Sequence, residues 1–96
     1  IILSSISVIF LTYITDLLIF PNPSENIFYI EFYTKFNQEV VLDVIDNIGR
    51  KIYNKGLFVS QGTVKTQLNL YNIRRGIYYL QIKIGEDLIY KKLILK

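Results

Sequence analysis

The stretch that decides the fold is NIRRGIYYLQI, residues 72–82. A glycine at the start of a strand, here Gly76, supplies a backbone angle that a side chain would forbid. The residues after it alternate, with Tyr78, Leu80, Ile82 and Ile84 on one face and Ile77, Tyr79, Gln81 and Lys83 on the other. The pattern predicts a turn at residues 72–76 that is followed directly by a strand. A tight turn at residues 85–87 then leads to a last strand over residues 88–96.

The same alternation recurs upstream of this stretch. It predicts inward-facing residues in three segments: Phe28, Ile30 and Phe32; Val40, Leu42 and Val44; and Val64, Thr66, Leu68 and Leu70. A short strand over residues 16–20 ends at Pro21, Asn22 and Pro23, because proline has no N–H to donate to the hydrogen bonds between strands. Turn signals recur roughly every ten residues. About seven short strands predict an all-β fold, an immunoglobulin-like antiparallel β-sandwich.

Several local features are predicted along these strands. Residues 24–26 form a polar turn tip, and residues 46–49 a hairpin loop that Arg50 pins by pairing with Asp46 or Asp43. Asp43 points outward to solvent. Gly56 indicates a bulge or a bend in the returning strand. The alternation falters at Lys91 and Lys92, which indicates either a bulge or an edge strand.

Composition excludes most kinds of functional site. The 96 residues contain no cysteine and no histidine, which removes disulfides, thiolate metal sites and the commonest general base. The eleven lysines and arginines are spread singly or in pairs among eight acidic residues. A nucleic-acid interface would cluster its cations on one face. We therefore expect a single domain with no metal, no cofactor, no small-molecule substrate and no nucleic-acid partner.

Two sets of side chains remain as candidates for chemistry or binding. Paired carboxylates would have to come from Glu31, Asp43, Asp46, Glu86 and Asp87. Each of these has an ordinary role on a strand or in a turn, so we expect no catalytic residues. A platform for stacking sugars would use Tyr29, Tyr33 and Tyr79. Tyrosine also occurs on sheet surfaces that bind no ligand, because its ring packs on apolar neighbours while its hydroxyl contacts water.

The first fourteen residues carry no charge, and three interpretations of them stay open. They are a strand or linker from a preceding segment, since isoleucine, valine and threonine favour extended structure. Alternatively they belong to a membrane helix over residues 1–20, or to a secretory signal, although a basic start and an initiating methionine are missing. We place the domain at residues 16–96 and treat residues 1–15 as an apolar linker or the end of a preceding segment.

Four motifs resemble those of a known family. Residues 18–24, LIFPNPS, look like the YPNP motif of type IX secretion C-terminal sorting domains, type A, with phenylalanine where tyrosine is common. Residues 44–52 resemble the D-x-x-G-R hairpin of that family, and residues 70–78 its L-x-x-G-x-Y turn. Residues 91–94 resemble its usual ending. The matching positions are Pro21, Asn22, Pro23, Asp46, Gly49, Arg50, Gly76 and Tyr78.

The resemblance implies a secretion signal rather than an enzyme. Such domains follow a cargo protein that has reached the periplasm, and the type IX translocon of the outer membrane recognises them. A cysteine peptidase of that system then typically removes the domain, here before Leu17, and the cargo is anchored at the cell surface or released. We expect the recognised surface to be Lys91, Lys92, Leu93, Ile94, Leu95 and Lys96, with the strand over residues 76–84 beside it.

Two other functions remain open at this point. One is an accessory β-sandwich that binds glycan or another protein, which needs a row of exposed rings. The other is a small membrane-attached protein whose residues 1–20 form a helix.

Overall fold

The computed structural model describes residues 14–96, which form seven strands: β1 Ile14–Phe20, β2 Ile27–Thr34, β3 Gln38–Ile45, β4 Lys51–Val59, β5 Gly62–Asn69, β6 Gly76–Ile84 and β7 Asp87–Leu95. Two antiparallel sheets have the strand orders β1-β2-β5 and β4-β3-β6-β7. This architecture confirms the predicted all-β sandwich. It differs from the immunoglobulin constant-type order, because the fourth strand pairs with the third strand and not with the fifth.

The core lies between the two sheets and contains the residues that alternation predicted to face inward. The side chains of β2, β3 and β6 on the inward face are almost wholly removed from solvent. On β5, Leu68 is buried and Val64 and Thr66 are half-buried; Leu70, directly after the strand, is also buried. The period of two therefore identified the inward faces of these strands correctly.

A bulge was one of two alternatives predicted at Gly56 and again at Lys91 and Lys92, and neither bulge forms. Gly56 lies in regular register opposite Val41, and the irregularity between β3 and β4 falls instead between Val44 and Ile45. The pairing of β6 with β7 runs without a register shift. The lysines at 91 and 92 interrupt the apolar alternation because β7 is an edge strand, which was the alternative prediction.

The first strand begins at Ile14, two residues earlier than expected. Asp16 has a positive φ of 56°, and the register of β1 shifts between Thr15 and Leu18. The predicted membrane helix over residues 1–20 is wrong for residues 14–20, which are strand. The interpretations of residues 1–13 lie outside the described residues. Among residues 14–96, no helix is long and apolar enough to span a bilayer.

The antiparallel order gives the sandwich two different ends. The β1–β2, β3–β4 and β5–β6 connections and the last residue of β7 lie at one end, which we call the closing end. The β2–β3, β4–β5 and β6–β7 turns lie at the opposite end. Every motif of the sequence analysis contributes residues to the closing end.

Candidate functional site

A short segment between β1 and β2 holds the end of β7. The side chain of Asn22 donates from Nδ2 to the carbonyl of Lys92 (2.8 Å) and accepts at Oδ1 from the N–H of Ile94 (3.0 Å). Two residues later the N–H of Ser24 donates to the carbonyl of Ile94, and the N–H of Lys96 donates to the carbonyl of Ser24, both at 2.9 Å. The amide of Asn22 thus substitutes for one residue of a neighbouring strand, and Ser24 supplies the next.

Ser24 is not at the solvated tip predicted for residues 24–26. It is 4% exposed, forms a parallel bridge with Leu95, and its hydroxyl donates to the carbonyl of Ile27 (2.5 Å). Pro21 and Pro23 flank Asn22 and lack an N–H, so neither competes for the acceptors on β7.

Asp46 organises the hairpin between β3 and β4. Its Oδ1 accepts from the backbone N–H groups of Ile48 (3.1 Å) and Arg50 (2.8 Å), and its Oδ2 accepts from Nε of Arg50 (2.8 Å). Gly49 has φ of 89°, which a residue with a side chain rarely adopts. The predicted pairing of Arg50 with Asp46 is confirmed, and Asp43 is engaged elsewhere.

The environment of the Asp46 carboxylate changes its titration. Burial acts to raise the pKa of Asp46, but the hydrogen bonds from Arg50 and Ile48 and the nearby Arg50 charge act in the opposite direction. The net result is a pKa below the usual value for an aspartate. The carboxylate is therefore ionised throughout the neutral range and keeps the loop closed there.

The β5–β6 connection closes the same end. Gly76 has φ of 155°, consistent with the predicted special backbone angle, and the hydroxyl of Tyr78 donates to the carbonyl of Arg74. Immunoglobulin-like domains contain a comparable bond from a tyrosine near the start of their sixth strand. Arg75 donates to the carbonyl of Glu25 and to Oδ1 of Asn26 (3.1 Å), which ties this connection to the start of β2.

The motif residues therefore fall into two groups that meet at the closing end. Pro21, Asn22 and Pro23 lie against β7. Asp46 and Arg50 line a shallow cleft together with residues 72–78, which include Gly76 and Tyr78. The described contacts of the motif side chains are with the protein itself, so their geometry explains how the end is held together. The contacts assign no chemistry to these side chains.

The predicted recognition residues on β7 divide into buried and exposed members. Leu93 is 0% exposed and Leu95 is 2% exposed, so both are core residues. Lys91, Lys92 and Lys96 are exposed, and Ile94 is half-buried. Among residues 14–96 these three lysines take part in no ion pair. Of the six predicted residues, the three lysines are therefore open to solvent, and Leu93 and Leu95 hold the strand in the fold.

Asp43 lies on the predicted outer face of β3 but is not exposed to solvent. It is 1% exposed, because Asn54 donates to its Oδ1 (2.6 Å) and the Lys51 ammonium lies 3.5 Å from its Oδ2. The other carboxylates considered for catalysis are dispersed: Glu31 lies on the other sheet, and Glu86 and Asp87 lie at the opposite end. No metal-binding cluster of acidic residues forms within residues 14–96.

The three tyrosines considered for sugar stacking do not form one platform. Tyr29 and Tyr33 lie on the outer face of the three-stranded sheet, whereas Tyr79 belongs to the other sheet. The ring of Tyr29 stacks on Phe20, with centroids 5.8 Å apart and planes inclined by 30°. Two of the three candidate rings therefore share a face, and Glu31 lies between them on β2. They do not form the continuous row of rings that a glycan-binding module needs.

Sequence reasoning missed the contacts of three residues that shape this end: Asn22, Ser24 and Arg75. The side chain of Asn22 was recognised as part of a motif, but its bonds to Lys92 and Ile94 span seventy residues or more. Arg75 and Ser24 were not singled out for the contacts they make. The sequence did contain one signal for the contacts of Arg75, namely the pair of arginines directly before Gly76. A positively charged side chain beside a turn often donates to backbone carbonyls that have no other partner.

The sequence matches the model of a known protein family. The family model described as secretion system C-terminal sorting domain matches residues 18–96. No curated protein matches the sequence. The matched range starts within β1 and includes all four motifs and the whole of β7.

Proposed function

The chain belongs to the C-terminal sorting domain family of type IX secretion systems, and we propose that it carries an N-terminally attached cargo protein through the outer-membrane translocon of that system. The family consists of secretion signals and is not an enzyme family. A role as a secretion signal places the cargo at the cell surface or outside the cell. The family match over residues 18–96 is the observation that carries this proposal.

The surface read by the translocon is proposed to include Lys91, Lys92 and Lys96. These lysines are exposed and unpaired among the described residues, and two of them are adjacent on an edge strand. Charged groups on such a surface guide encounter and exclude wrong partners more than they add affinity. The strand beside them, β6, contributes Ile77 and Tyr79 to the outer face that carries Lys92.

After transit through the periplasm and export, a cysteine peptidase of the system is proposed to cut the chain ahead of the sandwich. Residues from Ile14 onward are paired in β1, so a cut before this strand leaves the domain whole. The cargo is then anchored at the surface or released. We propose no catalytic role for the domain itself, because its carboxylates are dispersed or bound to their own cations.

A reporter fusion tests the sorting role. Residues 1–96 are placed behind a periplasmic signal peptide and a fluorescent protein and expressed in a bacterium with a type IX system. An isogenic strain without the translocon is the control. We expect reporter on the surface or in the medium of the competent strain alone. Reporter held in the periplasm of both strains, with the domain folded, would refute the proposal.

Paired substitutions then test the proposed surface. Lys91→Gln with Lys92→Gln removes two charges from the edge strand, and Lys35→Gln with Lys65→Gln removes two exposed charges elsewhere. All four side chains are exposed, so each double variant is expected to keep its stability within about 1 kcal/mol. We expect export to fall only for the first pair. Equal export by both pairs would exclude Lys91 and Lys92 from the recognised surface.

A further inference from the structure

Within residues 14–96, the edge of β7 that faces away from β6 is hydrogen-bonded over one half and unbonded over the other. In an antiparallel ladder, alternate residues direct both the N–H and the C=O toward the partner strand or away from it. The N–H and C=O of Ile94 bond to residues 22–24, on the side of β7 that faces away from β6. The N–H and C=O groups of Leu88, Tyr90 and Lys92 therefore point to that side as well. Asn22 occupies the carbonyl of Lys92. Within residues 14–96, the N–H of Lys92 and both backbone groups of Leu88 and Tyr90 have no partner.

The open segment, residues 88–92, also carries a distinct set of side chains. Leu88 is 49% exposed and Tyr90 is 56% exposed on the outer face of the sheet. Lys91 points to the core side, in register with Leu80, yet remains exposed because it lies at the edge. Residues 88–92 thus carry five backbone groups that have no partner within residues 14–96, two exposed large apolar side chains and two lysines.

We propose that the open segment binds an extended, acid-bearing segment of the export machinery as an added β-strand. The inference rests on the sorting function proposed above and names the chemistry of the partner. Unpaired N–H and C=O groups on a sheet edge are a template for another strand, and strand addition gains affinity from main-chain hydrogen bonds and specificity from alternate side chains. A partner of about five residues matches the length of the open segment.

The lysine on the core side decides which strands can bind. A charged side chain that points inward on an edge strand opposes pairing, because an apolar neighbour would desolvate the ammonium without compensation. A carboxylate placed beside Lys91 removes that penalty, so the same residue rejects neutral strands and accepts an acidic one. On the outer face, Leu88 and Tyr90 favour apolar residues in the alternate positions of the partner.

A proline substitution tests the backbone requirement. Tyr90→Pro removes an N–H that points away from β6, and proline is tolerated at such a position of an edge strand. The matched control is Lys65→Pro on β5. The carbonyl of Gln67 faces away from β2 to accept from Lys55, so the N–H of Lys65, two residues earlier, also points outward. Both variants are made in the full chain fused to the reporter.

We expect Tyr90→Pro to lower export by about threefold to tenfold, the effect of losing one main-chain hydrogen bond to the added strand, and Lys65→Pro to leave it within about twofold. Charge reversal provides a second arm that does not depend on proline. Lys91→Glu is expected to lower export at least as much as Tyr90→Pro, whereas Lys35→Glu, at the opposite end, is not. Circular dichroism verifies that each variant is folded.

The outcomes separate this inference from the sorting role. A wild-type chain that fails to export the reporter refutes the sorting role. Export by the wild type with equal export by Tyr90→Pro and Lys91→Glu overturns the added-strand proposal and leaves the sorting role in place. A wild-type dimer that Tyr90→Pro converts to monomer without loss of export assigns the edge to a second copy of the chain, and also overturns the proposal.

A direct binding measurement uses two synthetic peptides. One has the sequence acetyl-Thr-Val-Glu-Val-Thr-amide, and the other has glutamine in place of the glutamate. With the ¹⁵N-labelled full chain, we expect the acidic peptide to shift the amide signals of Tyr90 and Lys92 and the glutamine peptide to do so at several-fold higher concentration. Shifts of equal size at equal concentration, or shifts located on β5 instead, would contradict the proposed selectivity.

Discussion

Removal of the last four residues of the sequence, 93–96, is expected to unfold the domain. The deletion takes away Leu93 and Leu95, which are 0% and 2% exposed. It also removes the backbone bonds that Ser24 exchanges with Ile94 and Lys96. Truncating a buried leucine to alanine costs about 2–5 kcal/mol, so the pair accounts for roughly 4–10 kcal/mol. The total stability of a domain this size is about 5–15 kcal/mol.

Urea titration followed by circular dichroism measures this loss. With a slope of about 1–3 kcal/mol per molar urea, we expect the midpoint to fall by more than about 1 M or the transition to vanish. The control is the Lys91→Gln and Lys92→Gln pair, which alters exposed side chains of the same strand. A truncated chain whose midpoint stays within about 0.3 M of the intact one would refute the argument that these leucines hold β7 in the fold.

This prediction affects how export experiments are interpreted. A truncated domain that is no longer exported has lost its fold, so the result does not identify the surface that the translocon contacts. Substitution of exposed side chains on an intact fold separates the two causes. For this reason the tests above change lysines and a single outward N–H, and they leave the leucines in place.

Four further predictions concern single substitutions, three at the closing end and one within β4. Asn22→Ala removes two hydrogen bonds to β7 and is expected to cost about 1–2 kcal/mol, lowering Tm by roughly 5–15 °C in calorimetry; an unchanged Tm would contradict the strand-like role of that amide. Gly49→Ala is expected to destabilise by about 1–2 kcal/mol because φ is 89°, although the space around it is open. Gly56→Ala, where φ is ordinary and the space is also open, is expected to be neutral or stabilising in the same urea titration. Because the pKa of Asp46 is lowered in the folded state, its stabilising effect is present above the usual aspartate pKa and is lost as pH falls through the folded value. Thermal melts at pH values below about 5 should therefore show a smaller acid-induced decrease in Asp46→Asn than in the wild type.

The parts of the fold that depend on neighbouring residues in sequence were predictable. The faces of the strands follow from an alternation with a period of two. The hairpin at Asp46 follows from the turn-forming chemistry of this aspartate and of Gly49, three positions later. The inward set on β6, from Tyr78 to Ile84, was identified for this reason.

The parts that depend on distant residues were not predictable. Asp43 is buried because Asn54 and Lys51 cover it from the next strand, and a carboxylate in an alternating pattern carries no sign of that cover. Gly56 gave a false signal for a bulge, since a glycine in a strand also occurs without one. The true irregularity at Val44 and Ile45 lies among β-branched residues that favour regular strands. The bond partners of Asn22 could be identified only once β7 was placed.

The two different ends of the sandwich also separate the start of β1 from the final residue. β1 starts where Ile14 pairs with Thr34, beside the β2–β3 turn, whereas Lys96 lies at the closing end. The strands, which are seven to nine residues long, run between these two ends. The chain therefore enters β1 at the end of the sandwich opposite Lys96. The open segment, residues 88–92, begins at that same end, so the added strand proposed there lies on the passenger's side of the domain and not at the closing end.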